Sequence, residues 1–174
     1  MISAAQALYQ AKYHPFQYAD ILASFYQHLE QVPQNLLLLQ LLIPLYSQPQ
    51  MRKAFENSNK KSVLYSIFQG KDQTSKKSRQ YYLRDLQQRI EHFQATSLQA
   101  LQYCVIKQWL VVDSHQLEIQ PAWQPSTHRK GCSPPWRIEK SMKNLALRMS
   151  HHSIMDIYQL LGVRPCTATS MNSV

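Results

Sequence analysis

Apolar positions recur at helical spacing through most of the chain. Tyr18, Ile21, Leu22, Phe25 and Leu29 share one face, which predicts an amphipathic helix over ADILASFYQHLEQ, ended by Pro33. A second helix is expected from Asn35, with Asn35 as its N-cap. It is apolar on every side over LLLLQLLIPLY, so it reads as a central core helix, kinked or broken at Pro44. QPQMRKAFEN continues or restarts it, and SVLYSIF forms a short apolar island. Leu83, Leu86, Ile90 and Phe93 resume a helical face. Thr96-Ser97 is expected to break and recap the chain before a further helix carrying Leu98, Leu101, Val105 and Trp109.

The period then changes. WLVVD and QLEIQP alternate around Ser114-His115 and predict a β-hairpin. Leu117 and Ile119 are expected to face the core, and Gln116, Glu118 and Gln120 to face outward. AWQPSTHRKGCSPPWR reads as a long irregular connection. Ile138, Met142, Leu145 and Met149 form another amphipathic face. The last element is strongly punctuated: Ser153 is placed as N-cap with Asp156 three residues on, and Gly162 as a left-handed C-cap before Pro165. Its buried stripe is expected to be Ile154, Ile157, Tyr158 and Leu161. The fold class that follows is mainly α with one β-hairpin, a winged-helix-like helical domain over residues 1–165 with a flexible tail over 166–174.

Composition narrows the function. A chain of 174 residues buries about two-thirds of its unfolded surface and needs no disulfide or metal staple. Its three cysteines are far apart, which fits a reducing compartment. The longest apolar run falls short of the roughly 20 residues that span a bilayer, and the start lacks a basic region followed by an apolar core. The chain is therefore expected to be cytoplasmic, without a membrane partner. Three glycines leave no P-loop and no dinucleotide fingerprint, which argues against nucleotide hydrolysis by this chain.

Charge adds a second theme. The net charge is +9, and nine cations lie between Arg52 and Arg84, opposed only by Glu56 and Asp72. Lys60, Lys61, Lys71, Lys76, Lys77, Arg79 and Arg84 are candidate phosphate contacts, with Arg129, Lys130 and Arg137 around the later connection. GKDQTSKKSRQ reads as a mobile loop. Tyr65, Phe68, Tyr81 and Tyr82 interleave with the cations and could stack on bases. The same cations would equally serve as a solvated surface or dock an acidic protein.

Catalytic chemistry finds little support. Asp113 and Glu118 resemble the carboxylates of a metal-dependent nuclease, but they lie across one tight hairpin and the expected lysine is Gln120. His151 and His152 are adjacent and diverge on a helix, and His128 and Cys132 read as loop residues. No catalytic residue, metal or cofactor is expected.

The helix leading into the hairpin starts SLQALQYCVIKQ and carries one cation, Lys107, near its far end. A DNA-reading helix should present cations or amides near its start, so protein docking fits better than base readout. Glutamine is frequent in QHLEQVPQ, DLQQRIEHFQ and SLQALQYCVIKQ, which suits faces that another protein covers. Gln116, Glu118 and Gln120 are the candidate docking residues on the hairpin.

The order of elements resembles the middle component of three-component ABC-ATPase systems of bacteria, the group that includes Lamassu-type defence modules. ALYQ, FQYADILASFYQHL, LLLLQLLIPL, LRDLQQRIEHFQATSLQALQYCVIKQWLVVD and SIMDIYQLLGVRP carry the resemblance. It implies a non-catalytic accessory subunit. The implied partners are an SMC-like coiled-coil ABC ATPase, an effector, commonly a nuclease, and double-stranded DNA through the complex. It implies a role against phage or plasmid. The alternative from the residues alone is a stand-alone winged-helix DNA-binding regulator.

Overall fold

The computed structural model describes residues 14–58, 62–71, 76–122 and 136–166. Seven α-helices and one hairpin are present among them: α1 (Pro15–His28), α2 (Leu39–Ser47), α3 (Pro49–Asn57), α4 (Leu64–Gln69), α5 (Leu86–Ile106), β1 (Leu110–Asp113), β2 (Glu118–Pro121), α6 (Trp136–Met149) and α7 (Ile154–Leu161). Short 3-10 turns cover Asn35–Leu38 and Arg79–Leu83. The molecule is mainly helical with one antiparallel hairpin, and the junction of α5 with the hairpin is compatible with a winged-helix corner.

Helix α1 is the hub. It packs against α5 on one side and α6 on the other, and β2 also rests on it. Its burial is wider than one stripe: Tyr18 and every residue from Ile21 to Tyr26 are buried. Pro15 opens the helix, where a missing N–H costs nothing, and the chain leaves helical geometry at Leu29, before Pro33.

The apolar run from Leu36 is buried as expected, but its start and its break differ from expectation. Gln34, not Asn35, stands at the N-cap position, in a left-handed conformation, with no side-chain cap. Asn35 is buried and faces β2 across 84 positions of sequence: its amide accepts from the Ile119 N–H at 2.7 Å and donates to the Ile119 carbonyl at 3.2 Å. The amide thus pairs with the strand edge as a third strand would, and leaves less edge exposed. Pro44 stays inside α2, and the break falls at Gln48. The physical reason is Pro49: a residue before proline is pushed to extended geometry, and proline is well placed as the first residue of α3.

Helix α5 runs unbroken through Thr96-Ser97, against expectation. Its buried residues are Leu86, Ile90, Phe93, Ser97, Ala100, Leu101 and Cys104, so Ser97 sits in the inward stripe. Small side chains there let α1 approach closely, and the Cys104 thiol reaches the Ala19 carbonyl at 3.4 Å. Tertiary burial outweighs the local preference of Thr and Ser for caps. Leu98 and Val105, expected in the core, are 47% and 41% exposed, whereas Trp109 is buried.

In the hairpin, Leu110 pairs with Pro121 and Asp113 with Glu118. Ile119 is buried as expected. Leu117 is not: it lies in the turn at φ 56 and is 43% exposed. A four-residue turn places it before the strand, so its alternation with Ile119 is lost. Its carbonyl accepts from the Leu36 N–H at 3.0 Å. The carboxy-terminal part matches the sequence reading closely. Met142, Leu145 and Met149 are buried on α6. Ser153 accepts from the Asp156 N–H, Gly162 ends α7 at φ 68, and Ile154, Ile157, Tyr158 and Leu161 are buried. Beyond α7, Gln40 bonds the Cys166 N–H and carbonyl, at 2.9 and 3.1 Å, repeating the device of Asn35.

Candidate docking face and basic cluster

The long helix α5 carries two different surfaces, one at each end. At its carboxy-terminal end Leu98, Gln102, Val105 and Ile106 fall on one outward face at spacings of four, seven and eight. Ile106 is 70% exposed, and Val111 on β1, which packs against α5, is 54% exposed. Gln99 and Gln108 are also exposed. From His92 to Val112 the one basic side chain of Lys or Arg type is Lys107, and its ammonium lies over the Tyr103 ring at 5.6 Å. Next to this face the rings of Phe16, Tyr103 and Trp109 meet in a chain, tilted at 4.5 Å and edge-on at 5.9 Å between centroids. The outward surface at this end of α5 is thus made of apolar and amide groups. Such a surface costs free energy in water and suits cover by another protein.

Of the hairpin residues singled out from sequence, Gln120 pairs with Val111 across the two strands. Gln116 and Gln120 are exposed, and Glu118 is partly buried. Gln120 donates to the Glu118 carboxylate at 3.3 Å. A groove of about 640 Å³ runs between Glu118–Pro121 and the segment from Leu29 to Asn35. The Asp113 carboxylate accepts from the backbone N–H groups of His115 and Gln116, at 2.9 and 3.1 Å. It closes the turn as an Asx cap. No group of three metal-ligating side chains occurs among the described residues.

The amino-terminal end of α5 is basic, and its cations divide by role. Arg52 stacks on Tyr46 at 4.7 Å and donates to the Tyr46 carbonyl. Arg79 donates from Nη1 to the Ser66 and Ile67 carbonyls, at 3.0 and 3.3 Å, and so caps the end of α4. Lys77 and Arg84 approach the Tyr81 ring at 4.7 and 4.9 Å. Tyr81 is 48% exposed, so this cation–aromatic cluster faces solvent. Lys71 and Lys76 are exposed, and Lys71 forms an antiparallel bridge with Ser78 that closes the neck of the loop between them. Arg137 is exposed at the start of α6. Lys60, Lys61, Arg129 and Lys130 lie outside the described residues, as do His128 and Cys132.

One structural arginine escapes the sequence reading. Arg89 on α5 donates to the Pro44 carbonyl at 2.7 Å and the Tyr82 carbonyl at 2.8 Å, and pairs with Asp85 at 3.2 Å. Burial pushes its guanidinium below the ordinary arginine range, and the Asp85 carboxylate opposes that shift. It ties α2 and the 3-10 turn to α5, and thereby fixes the basic cluster on the helical core. A lone arginine amid Leu86, Ile90 and Phe93, with a helical proline upstream, was the available signal.

No helix among the described residues is long and apolar enough to cross a membrane. No curated protein and no solved structure shows significant similarity to the chain. A family model does match, over residues 2–165: the ABC-three component (ABC-3C) system Middle Component 3. The match spans nearly the whole chain, including both ends of α5, and the chain belongs to this family of middle components of three-component ABC systems.

Proposed function

We propose that the chain is a non-catalytic accessory subunit that bridges an SMC-like coiled-coil ABC ATPase and an effector, a nuclease, in defence against phage or plasmid. The observation that supports it best is the uncharged, partly apolar face formed by Leu98, Gln102, Val105, Ile106 and Val111. A middle component must hold two neighbours, and this face offers one of them a dry contact. The basic cluster at the other end of α5 positions DNA by phosphate contacts within the assembly, in a salt-dependent manner. Because the helix entering the hairpin exposes amides and aliphatic groups instead of cations, sequence-selective base readout by a stand-alone regulator has less support.

The test is co-expression of the chain with the other two components of its system, followed by affinity capture through the chain. Recovery of a large ATPase together with a second component is the expected result. Recovery of the chain alone, or a sequence-selective gel shift by the purified chain at physiological salt, would overturn the reading.

A further inference from the structure

Away from the docking face, α3, α4 and the neck of the basic loop enclose a cleft of about 320 Å³. That volume is at the lower end of small-molecule sites. Three cations reach it from three separate elements: Lys53 from α3, Lys71 from the chain after α4, and Arg79 from the 3-10 turn. The amides of Gln50 and Asn57 also line it, and no carboxylate does among the described residues. Asp72, the residue after Lys71, lies outside them.

The cleft is built, not merely crowded with charge. Gly70 passes so close to the end of α4 that a Cβ there would collide with the Ser66 carbonyl oxygen. That tight passage delivers Lys71 to the rim. Arg79 is fixed by its two carbonyl bonds, and its own N–H donates to the Gly70 carbonyl at 2.9 Å. Three cations sharing a concave wall repel one another and focus a positive potential, which an anion of two or three charges offsets. Planar guanidinium and mobile ammonium groups together suit phosphate oxygens.

We infer that this cleft binds a small phosphate ester of about nucleotide size. The inference goes beyond the docking reading and does not rest on it. In the proposed assembly duplex DNA would meet a different surface, the open cluster of Lys77, Arg84 and Tyr81.

Inorganic pyrophosphate is the probe. Titration calorimetry and thermal melting of the full chain would be run against sodium chloride at matched ionic strength. Saturable heat and a raised Tm with pyrophosphate are expected, and not with chloride. The double variant Lys53→Ala/Lys71→Ala should weaken binding by about tenfold or more, as loss of charge-assisted contacts predicts. Both lysines are exposed, so its circular dichroism should be unchanged. Lys107→Gln, the loss of one charge outside the cleft, should bind as the parent does. The inference falls if pyrophosphate acts no more strongly than chloride, or if Lys107→Gln weakens binding as much. It also falls if a saturating duplex oligonucleotide abolishes pyrophosphate binding, which would make the two anions ligands of one surface.

Discussion

The two ends of α5 invert the usual expectation about residue type. At the amino-terminal end, arginines that look like surface ligands do structural work: Arg79 caps α4, and Arg89 satisfies the Pro44 and Tyr82 carbonyls. At the carboxy-terminal end, aliphatic residues that look like core stand in solvent: Val105, Ile106 and Val111 are exposed while Trp109 beside them is buried. Charge alone therefore does not mark the binding surface, nor hydrophobicity the core. What decides is whether a carbonyl or a packed ring waits for the side chain.

Substitutions at the two ends separate buried positions from exposed ones. Trp109→Ala should cost about 3–5 kcal/mol in urea melts, as loss of a large buried aromatic does. Val105→Ala, a few residues upstream, should stay within about 0.5 kcal/mol of the parent. Equal costs would put both on one buried stripe and refute the observed geometry. At the other end, Arg89→Ala should cost roughly 2–4 kcal/mol by leaving two carbonyls without their charged donor. A near-neutral result would mean that the Arg89 ties are solvent-replaceable.

Between the ends sits Ser97, whose buried hydroxyl has no hydrogen-bond partner among the described residues. Ser97→Ala should raise stability by about 0.5–1.5 kcal/mol, through better helix propensity and removal of an unpaired polar group. A loss of stability in thermal melts would instead show that the hydroxyl is satisfied, and that the helix gains from it.

Local signals were legible in the sequence, and remote ones were not. The Ser153 and Gly162 caps of α7 depend only on residues within the same helix, and each appears where the pattern placed it. Asn35 was read by the same local logic and met a different fate, because its partner Ile119 lies 84 positions away. Gln40 looked like an interruption of an apolar run, yet it holds the Cys166 backbone. Thr96-Ser97 reads as a break only until α1 is packed against it. The uncharged surface before the hairpin was foreseen from its single cation. Its apolar members were not, because Leu98 and Val105 share the helical period of the core. The Lys53–Lys71–Arg79 cleft joins three segments that no linear pattern connects.

Cover of the exposed face at the end of α5 by a protein neighbour is what the proposed function depends on. It is tested by measuring binding of the Ile106→Glu/Val111→Glu double variant to the isolated ATPase component, beside the parent. The melting temperature should stay close to the parent's, because both residues are exposed, and capture should be lost, because the two carboxylates would be buried without partners. Capture of the ATPase by the double variant at the parent's affinity would contradict it.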